Sequence, residues 1–139
     1  MVDLGFELKA GVSLPELKRK VTQADINLYA RASGDYNPIH IDPEFAKKTP
    51  LGGTIAHGML ILGYVSEMLT GAFGMDWLES GKLDVRFKAP ARPENTVTVS
   101  GKITAVGDGN GAKLVKIDIE CHNQNNETVI TGEASVMVK

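Results

Sequence analysis

Residues 55–73 read IAHGMLILGYVSEMLTGAF, and this stretch decides the fold. Its apolar side chains are spread around most of the circumference of a helix, and such a helix must be surrounded by protein. The acidic Glu67 and three glycines interrupt the apolar run, which is far shorter than the roughly 20 residues of a membrane span. The stretch therefore predicts a long buried core helix that begins at Ile55, with no membrane partner. A carboxylate buried within it, that of Glu67, would need a partner.

The sequence that follows this helix alternates between apolar and polar residues, as half-buried strands do. The apolar positions are Leu83, Val85 and Phe87, then Val97 and Val99, then Val115, Ile117 and Ile119. Residues 107–111 and 123–126 are rich in Gly and Asn, which predicts turns and an antiparallel meander that ends in residues 128–138. With residues 6–8 as a possible edge strand, we expect about five strands. The fold class is therefore α+β, one long buried helix wrapped by a curved antiparallel sheet.

Length, charge and cysteine content narrow the class of protein. The 139 residues fit one domain, 1–139. A formal net charge of −2 argues against a nucleic-acid partner. The only cysteine, Cys121, allows no internal disulfide. Residues 1–5 show no basic region followed by an apolar stretch, so we expect no signal peptide and a cytoplasmic location.

A second helix precedes the densest polar cluster of the chain. Thr22 followed by Asp25 has the form of a capping box, in which the Thr22 hydroxyl accepts from the Asp25 backbone N–H. Gly34 is placed to end this helix, because Gly enters the left-handed conformation without penalty. Residues 33–40, SGDYNPIH, are then predicted to form one tight loop, in which Pro38 prevents a helical continuation and holds the preceding residue extended.

Asp35 and His40 share this predicted loop with Asn37. A carboxylate and an imidazole are the usual pair for moving protons near neutral pH, and a neighbouring amide can fix a water molecule. Asp and Asn are also the commonest turn formers, so an Asx-turn explains the same residues without catalysis. The residue types alone leave both interpretations open.

A second polar cluster, Ala56-His57-Gly58, lies where the core helix is expected to begin. Free N–H groups and the positive end of the helix dipole favour an anionic oxygen there. Gly58 would let a ligand carbonyl approach the backbone closely. Ordinary packing of the helix against a strand explains the glycine equally well, and His57 as a polar residue at a helix entrance needs no catalytic role.

The polar clusters carry a resemblance to a known family. Residues 29–40, YARASGDYNPIH, continued by Asp42-Pro43 and Phe45-Ala46, resemble the signature of the MaoC-like dehydratases, the (R)-specific enoyl-CoA hydratases. Residues 52–59, GGTIAHGM, and 85–90, VRFKAP, resemble two further blocks of that family. The family often carries Pro-Gly-Asp after the third block, where this chain has Pro93-Glu94-Asn95. That departure concerns only a local turn.

The resemblance implies a hot dog fold and a set of site residues. Asp35 and His40 correspond to the catalytic pair, Asn37 to the residue that supports the water, and Gly58 to the oxyanion donor. Hydration of a 2-enoyl thioester needs a base for the water, a proton for C2 and a donor for the enolate oxygen, which these groups provide. No metal or redox cofactor is expected, since the three histidines show no paired ligand spacing. Coenzyme A or acyl carrier protein would enter as part of the substrate.

The remaining candidates are predicted to bind substrate. Tyr36 is placed to shape the acyl pocket or to cover the loop, and His57 and Met59 flank the expected oxyanion donor. Arg86 and Lys88 lie on the polar face of a strand and are candidates for the phosphates of coenzyme A or of a phosphopantetheine arm, although a solvated strand face also explains them.

The sequence therefore predicts (R)-specific enoyl thioester hydration, or the reverse dehydration of 3-hydroxyacyl thioesters, in fatty acid metabolism. A hot dog thioesterase and a non-catalytic acyl-thioester binding subunit remain as alternatives. Because the chain is short, we expect short to medium acyl groups. One short sheet leaves an edge open, so we expect a homodimer or a dimer of dimers, and the resemblance places the cleft at the subunit interface.

Overall fold

A computed structural model describes residues 4–139, which form one antiparallel sheet and several helices. The helices are α1 (Gln23–Ser33), α2 (Pro38–Ile41), α3 (Pro43–Lys47), α4 (Gly58–Phe73) and α5 (Met75–Ser80). The strands are β1 (Leu17–Lys20), β2 (Lys82–Phe87), β3 (Thr96–Gly109), β4 (Ala112–His122) and β5 (Thr128–Val138). Their order in the sheet is β1-β3-β4-β5-β2, with every pairing antiparallel. The predicted α+β class is confirmed. The predictions of one domain over 1–139 and of no signal peptide include residues 1–3, which lie outside the described residues.

The meander of β3, β4 and β5 is confirmed, and its first turn is tighter than predicted. Strand β3 runs to Gly109 and β4 starts at Ala112, so only Asn110 and Gly111 connect them. Both connecting residues have positive φ, 45° and 81°, as a two-residue type I′ hairpin requires. The turn at residues 123–126 is held by Asn123, whose side-chain oxygen accepts from the N–H groups of Asn125 and Glu127.

The prediction of an edge strand at residues 6–8 is wrong. The edge strand is β1, whose sequence LKRK pairs with the start of β3. Phe6 instead packs its ring edge-on against Phe73, at 5.7 Å between centroids. The sequence did not indicate this strand because three of its four residues are basic, although charged residues are typical of sheet edges.

Helix α4 begins at Gly58, three residues later than predicted. Residues 55 and 56 lie outside the helix, and their N–H groups bond to other segments, that of Ile55 to the Ile39 carbonyl and that of Ala56 to the Ala91 carbonyl. His57 is the N-cap residue, with φ −59° and ψ 135°. The helix therefore starts where these cross-links end.

One side of α4 is buried against the sheet. The buried residues of the helix are Ile61, Val65, Met68, Leu69, Ala72 and Phe73. A Cβ built on Gly101 of β3 would meet the Met68 methyl group at 3.2 Å, so helix and sheet approach closely there. The expectation of a helix enclosed on all sides is not met within one chain, because Met59 is exposed. Glu67 is also exposed and forms a salt bridge with Arg19 of β1, rather than lying buried.

Cys121 lies in the centre of the sheet, on β4. It is fully buried, and burial raises the pKa of its thiol to about 12. The thiol is therefore protonated and inaccessible in the folded protein. Among the described residues, no helix has the length and apolar character to cross a bilayer.

Candidate active site

The carboxylate of Asp35 lies on the short connection that follows α1. Thr22 caps the start of that helix by accepting from the Asp25 N–H, and Gly34 ends it with φ 78°, both as predicted. Beyond Gly34, the Asp35 Oδ1 accepts from the Asn37 N–H at 3.2 Å, an Asx-type bond. The Asp35 side chain is 53% exposed, so the carboxylate remains accessible to solvent while Oδ1 holds the turn.

Asn37 and Pro38 end this connection earlier than predicted. Asn37 is extended, as expected before a proline, and its Oδ1 accepts from the Ile39 N–H at 3.2 Å. Pro38 stands at the first position of α2, where its missing N–H has no cost. The prediction that residues 33–40 form one loop is therefore wrong, since His40 lies on a single helical turn.

His40 is buried and its ring is held from one side. Its Nδ1 lies 2.8 Å from the carbonyl oxygen of Ile55. Because a carbonyl only accepts, Nδ1 carries the hydrogen and Nε2 of the neutral ring presents its lone pair. That Nε2 lies 4.0 Å from Oδ2 of Asp35. The structure thus brings together the predicted acid/base pair, with the basic nitrogen facing the carboxylate.

His57 lies behind this pair. Its ring is 3% exposed and stacks on the His40 ring, with centroids 3.9 Å apart and planes at 25°. The opposite neighbour is Tyr29 of α1, at 4.8 Å between centroids. Nε2 of His57 lies 3.0 Å from the backbone carbonyl of Asp35. Its predicted contact with substrate stays a prediction, and the contacts that the structure gives are all with the protein.

Gly58 opens α4 beside a cavity. The first N–H groups of a helix have no intrahelical acceptor, so those at Gly58 and Met59 are available to a ligand. A cavity of about 290 Å³ adjoins them, and its lining includes Gly58, Phe87 and Lys88. A Cβ built on Gly58 would meet the Phe87 ring at 3.0 Å, so close packing is one reason for this glycine.

The remaining predicted residues differ in their exposure and in whether they line this cavity. Tyr36 and Met59 are exposed, next to Asp35 and Gly58 in the chain. Lys88 lines the cavity, whereas Arg86 points from β2 into solvent and does not contribute to its lining. The predicted substrate contacts of these four residues stay predictions.

Sequence reasoning missed the residues that brace the site. Gln23 donates from Nε2 to the carbonyl of His40 at 2.7 Å and accepts from the Thr54 hydroxyl at 2.8 Å. It thereby ties α1 to α2 and to the segment before α4. Tyr29 and Phe87 lie within the motifs, but no spacing signal shows that they contact His57 and Gly58.

Asp35, His40 and His57 each offer a potential metal ligand, with the three ligand atoms within 4.8 Å of one another. The stacking of the two rings disfavours shared coordination, because an ion in the plane of one ring would lie far out of the plane of the other. The three side chains fit an acid/base site better than a metal centre.

Comparison with known proteins agrees with this geometry. A family model described as MaoC like domain matches residues 10–125. An (R)-specific enoyl-CoA hydratase of Rhodospirillum rubrum is 34% identical over 95% of this chain and 89% of its own length. A mitochondrial 3-hydroxyacyl-[acyl-carrier-protein] dehydratase of Arabidopsis thaliana is 30% identical over 94% of this chain and 78% of its own. Among solved structures, R-hydratase PhaJ1 from Pseudomonas aeruginosa matches with a TM-score of 0.83 and 26% identity, covering 95% of this chain and 83% of that one.

Proposed function

The chain belongs to the MaoC-like domain family and has its hot dog fold, and from this premise we propose that it is a hydro-lyase acting on acyl thioesters. It adds water to trans-2-enoyl thioesters to give (R)-3-hydroxyacyl thioesters, or catalyses the reverse dehydration. The names of its relatives support both directions, which metabolite levels rather than residues would set.

The observation that carries the proposal is the 4.0 Å separation between Asp35 Oδ2 and His40 Nε2. Each hydrogen bond to a water oxygen spans about 2.8 Å, so one water molecule can contact both groups. Both groups accept hydrogen bonds when His40 is neutral, so that water would donate both hydrogens and keep a lone pair for attack.

The proton transfers follow from this arrangement. His40 Nε2 takes one proton from the water while the oxygen forms its bond to C3 of the enoyl group. The C2=C3 electron pair moves towards the thioester carbonyl, giving an enolate, and the imidazolium of His40 then delivers its proton to C2. Asp35 orients the water and stabilises the imidazolium, and the Asn37 amide nitrogen remains available to support the water.

We propose that the enolate oxygen binds at the start of α4. The Gly58 N–H and the positive end of the helix dipole stabilise developing negative charge. The adjoining cavity of about 290 Å³ supports short to medium acyl groups. Lys88, which lines this cavity, is the proposed partner of a phosphate of the coenzyme A or carrier-protein arm, with Arg86 two residues before it as a second candidate.

We propose that no metal or redox cofactor takes part, because the proton transfers and the oxyanion donor account for the reaction. Prolonged dialysis against EDTA is expected to leave the rate of hydration unchanged. A loss of activity that Zn²⁺ or Mg²⁺ restores would contradict this.

We also propose that two copies associate, as a homodimer or a dimer of such dimers. Strand β2 is an open edge of the sheet and carries the exposed Phe87 at its end. Met59, which follows Gly58 at the start of α4, is also exposed, and a second copy would shield both apolar side chains. The substrate cleft would then lie at the interface. Sedimentation is expected to give a dimer or larger at micromolar concentration, and a monomer would refute the proposal.

The assignment is tested by mixing the protein with crotonyl-CoA and following the loss of enoyl absorbance. Hydration with (R)-3-hydroxybutyryl-CoA as the main product is expected, and predominant (S) product would refute the assignment. Release of free thiol without hydration would identify a thioesterase. If neither hydration nor thiol release is seen, the result would favour a non-catalytic binding subunit. In a panel of enoyl-CoA substrates of varied length, long-chain substrates are expected to react more slowly than crotonyl-CoA. A role in fatty acid metabolism is proposed on the relatives' names, and a cytoplasmic location on the sequence alone.

A further inference from the structure

His57 has a set of contacts that the proposed reaction does not use. The ring is enclosed between His40 and Tyr29, and its Nε2 lies 3.0 Å from the Asp35 carbonyl oxygen. The other ring nitrogen, Nδ1, is buried, and no described residue supplies it with a hydrogen-bond partner. A buried nitrogen without a partner is uncommon in a folded protein and calls for an explanation.

These contacts fix the tautomer of His57. The Asp35 carbonyl can only accept, so Nε2 carries the hydrogen. Nδ1 of the neutral ring is then a bare lone pair, which is less costly to bury than an unpaired N–H. A proton on Nδ1 would place a cationic N–H where the described residues offer it no acceptor. The surroundings therefore favour the neutral ring with its hydrogen on Nε2.

His57 also joins the three segments that carry the proposed site. It is the N-cap residue of α4, directly before Gly58. Its ring N–H, at Nε2, donates to the backbone carbonyl of Asp35. Its ring stacks on the ring of His40. One residue thus links the Asp35 backbone, the His40 ring and the N-terminus of α4.

We propose that His57 is a positioning residue: a neutral imidazole that holds Asp35 and His40 at the spacing needed to share one water. This inference rests on the proposed function. It assigns His57 no proton transfer and no contact with substrate. The hydrogen bond to the Asp35 carbonyl is the interaction that positions the pair, and the stacked ring supports it.

The first test measures the tautomer without any substrate. Ring ¹⁵N spectra of the wild-type protein at pH 7, assigned by the signal missing from His57→Gln, are expected to show a protonated Nε2 and a bare Nδ1. A hydrogen on Nδ1 of His57 would overturn the proposal. Because this readout needs no turnover, it is separate from the proposed function, which fails if the wild-type protein does not hydrate crotonyl-CoA.

The second test compares two replacements. His57→Gln keeps an N–H donor that reaches the Asp35 carbonyl, whereas His57→Phe keeps a ring without the donor. We expect His57→Phe to lower kcat by about 10- to 100-fold with KM within about threefold, as a misplaced catalytic pair does. His57→Gln is expected to recover most of that loss. His122→Gln, at the end of β4 and outside the contacts described for His57, is the control and should match the wild type.

Several outcomes would overturn the proposal. Equal losses in His57→Gln and His57→Phe would show that the hydrogen bond is not what positions the pair. A raised KM with unchanged kcat would show a substrate contact instead. Wild-type kcat in both variants would leave His57 a purely structural residue. If His57→Phe does not fold, His57→Leu takes its place as the variant without a donor, with the same expectations.

Discussion

The N-terminal end and the middle of helix α4 differ in how their polar groups are satisfied. At the N-terminal end, Gly58 has no intrahelical partner for its N–H and His57 has a buried nitrogen with none among the described residues. In the middle, Val65 and Met68 pack against the sheet and present no polar side-chain group that needs a partner. One helix therefore combines an end whose polar groups are left for the proposed site with a segment that packs in the core.

This difference predicts that activity and stability can be separated along a single helix. Replacements around the N-terminal end should lower turnover more than stability. Replacements in the middle should lower stability and leave the turnover of the folded protein intact. Each prediction that follows tests one side of that separation.

The largest effect is expected at the acid/base pair. Asp35→Asn and His40→Gln should each lower kcat by about 10²- to 10⁴-fold, the usual contribution of one acid/base group. That loss corresponds to about 3–5 kcal/mol of transition-state stabilisation. Thermal unfolding should change little, because both replacements are nearly isosteric. Crotonyl-CoA hydration and unfolding are measured on the same preparations.

The double variant shows whether the two residues act as a unit. If they share one water, combining the replacements should be hardly worse than the more severe single variant. Multiplying losses would indicate independent roles. A single variant that keeps more than about a tenth of the wild-type kcat would show that its residue is not catalytic.

The next largest effect is expected in the middle of α4. Met68→Ala should lower the free energy of unfolding by about 2–4 kcal/mol, because it leaves a cavity where the helix meets Gly101. Met68→Leu is the matched control and should cost less than about 1.5 kcal/mol, since it conserves volume. Urea unfolding gives both values. A fall in kcat that exceeds the unfolded fraction would show that this segment also shapes the site.

A smaller effect is expected where the two regions meet, at Gly58 and Phe87. Alanine is favoured over glycine in helices by about 1 kcal/mol, but the added Cβ would press on the Phe87 ring. Gly58→Ala should therefore destabilise the wild-type protein by about 1 kcal/mol, a typical effect of overpacking. In a Phe87→Leu background the same change should be neutral or stabilising. Equal effects in both backgrounds, measured by urea unfolding, would show that the ring does not constrain Gly58.

The smallest effect is expected at the turn that contains Glu94, as a baseline. Glu94 has φ 76°, a backbone conformation that favours glycine. Glu94→Gly should be more stable than Glu94→Ala by about 0.5–1 kcal/mol, while both lack the exposed ion pair with Lys20. Urea unfolding of the two variants measures the difference. An alanine variant at least as stable as the glycine variant would contradict the assigned strain.

The parts of the molecule governed by local chemistry could be predicted from the sequence. Thr22 and Gly34 mark the ends of α1 because capping depends on a few neighbouring residues. The alternation in β2 to β5 is visible because one face of each strand meets the core. Asp35, Asn37 and His40 could be selected as candidates because they lie within six residues in the motif.

The parts that depend on contacts between distant segments could not be predicted. The β1 edge strand exists through its pairing with β3, and its own residues are mostly charged. The contact of His57 with the Asp35 carbonyl joins residues 22 positions apart through a backbone atom, which no side-chain pattern shows. The helical placement of His40 likewise depends on Asn37 acting as a cap rather than only as a turn residue.

The buried thiol of Cys121 can report when the sheet of the folded protein opens. With the pKa raised to about 12, the thiol has almost no thiolate at neutral pH and no access to solvent, so only molecules whose sheet has opened will react with a disulfide reagent. The rate of labelling thus counts opening events in β4, and a ligand that binds the closed form should slow it. Because Cys121 does not react in the folded protein, any thiol released from an acyl-CoA can be followed without background from the protein.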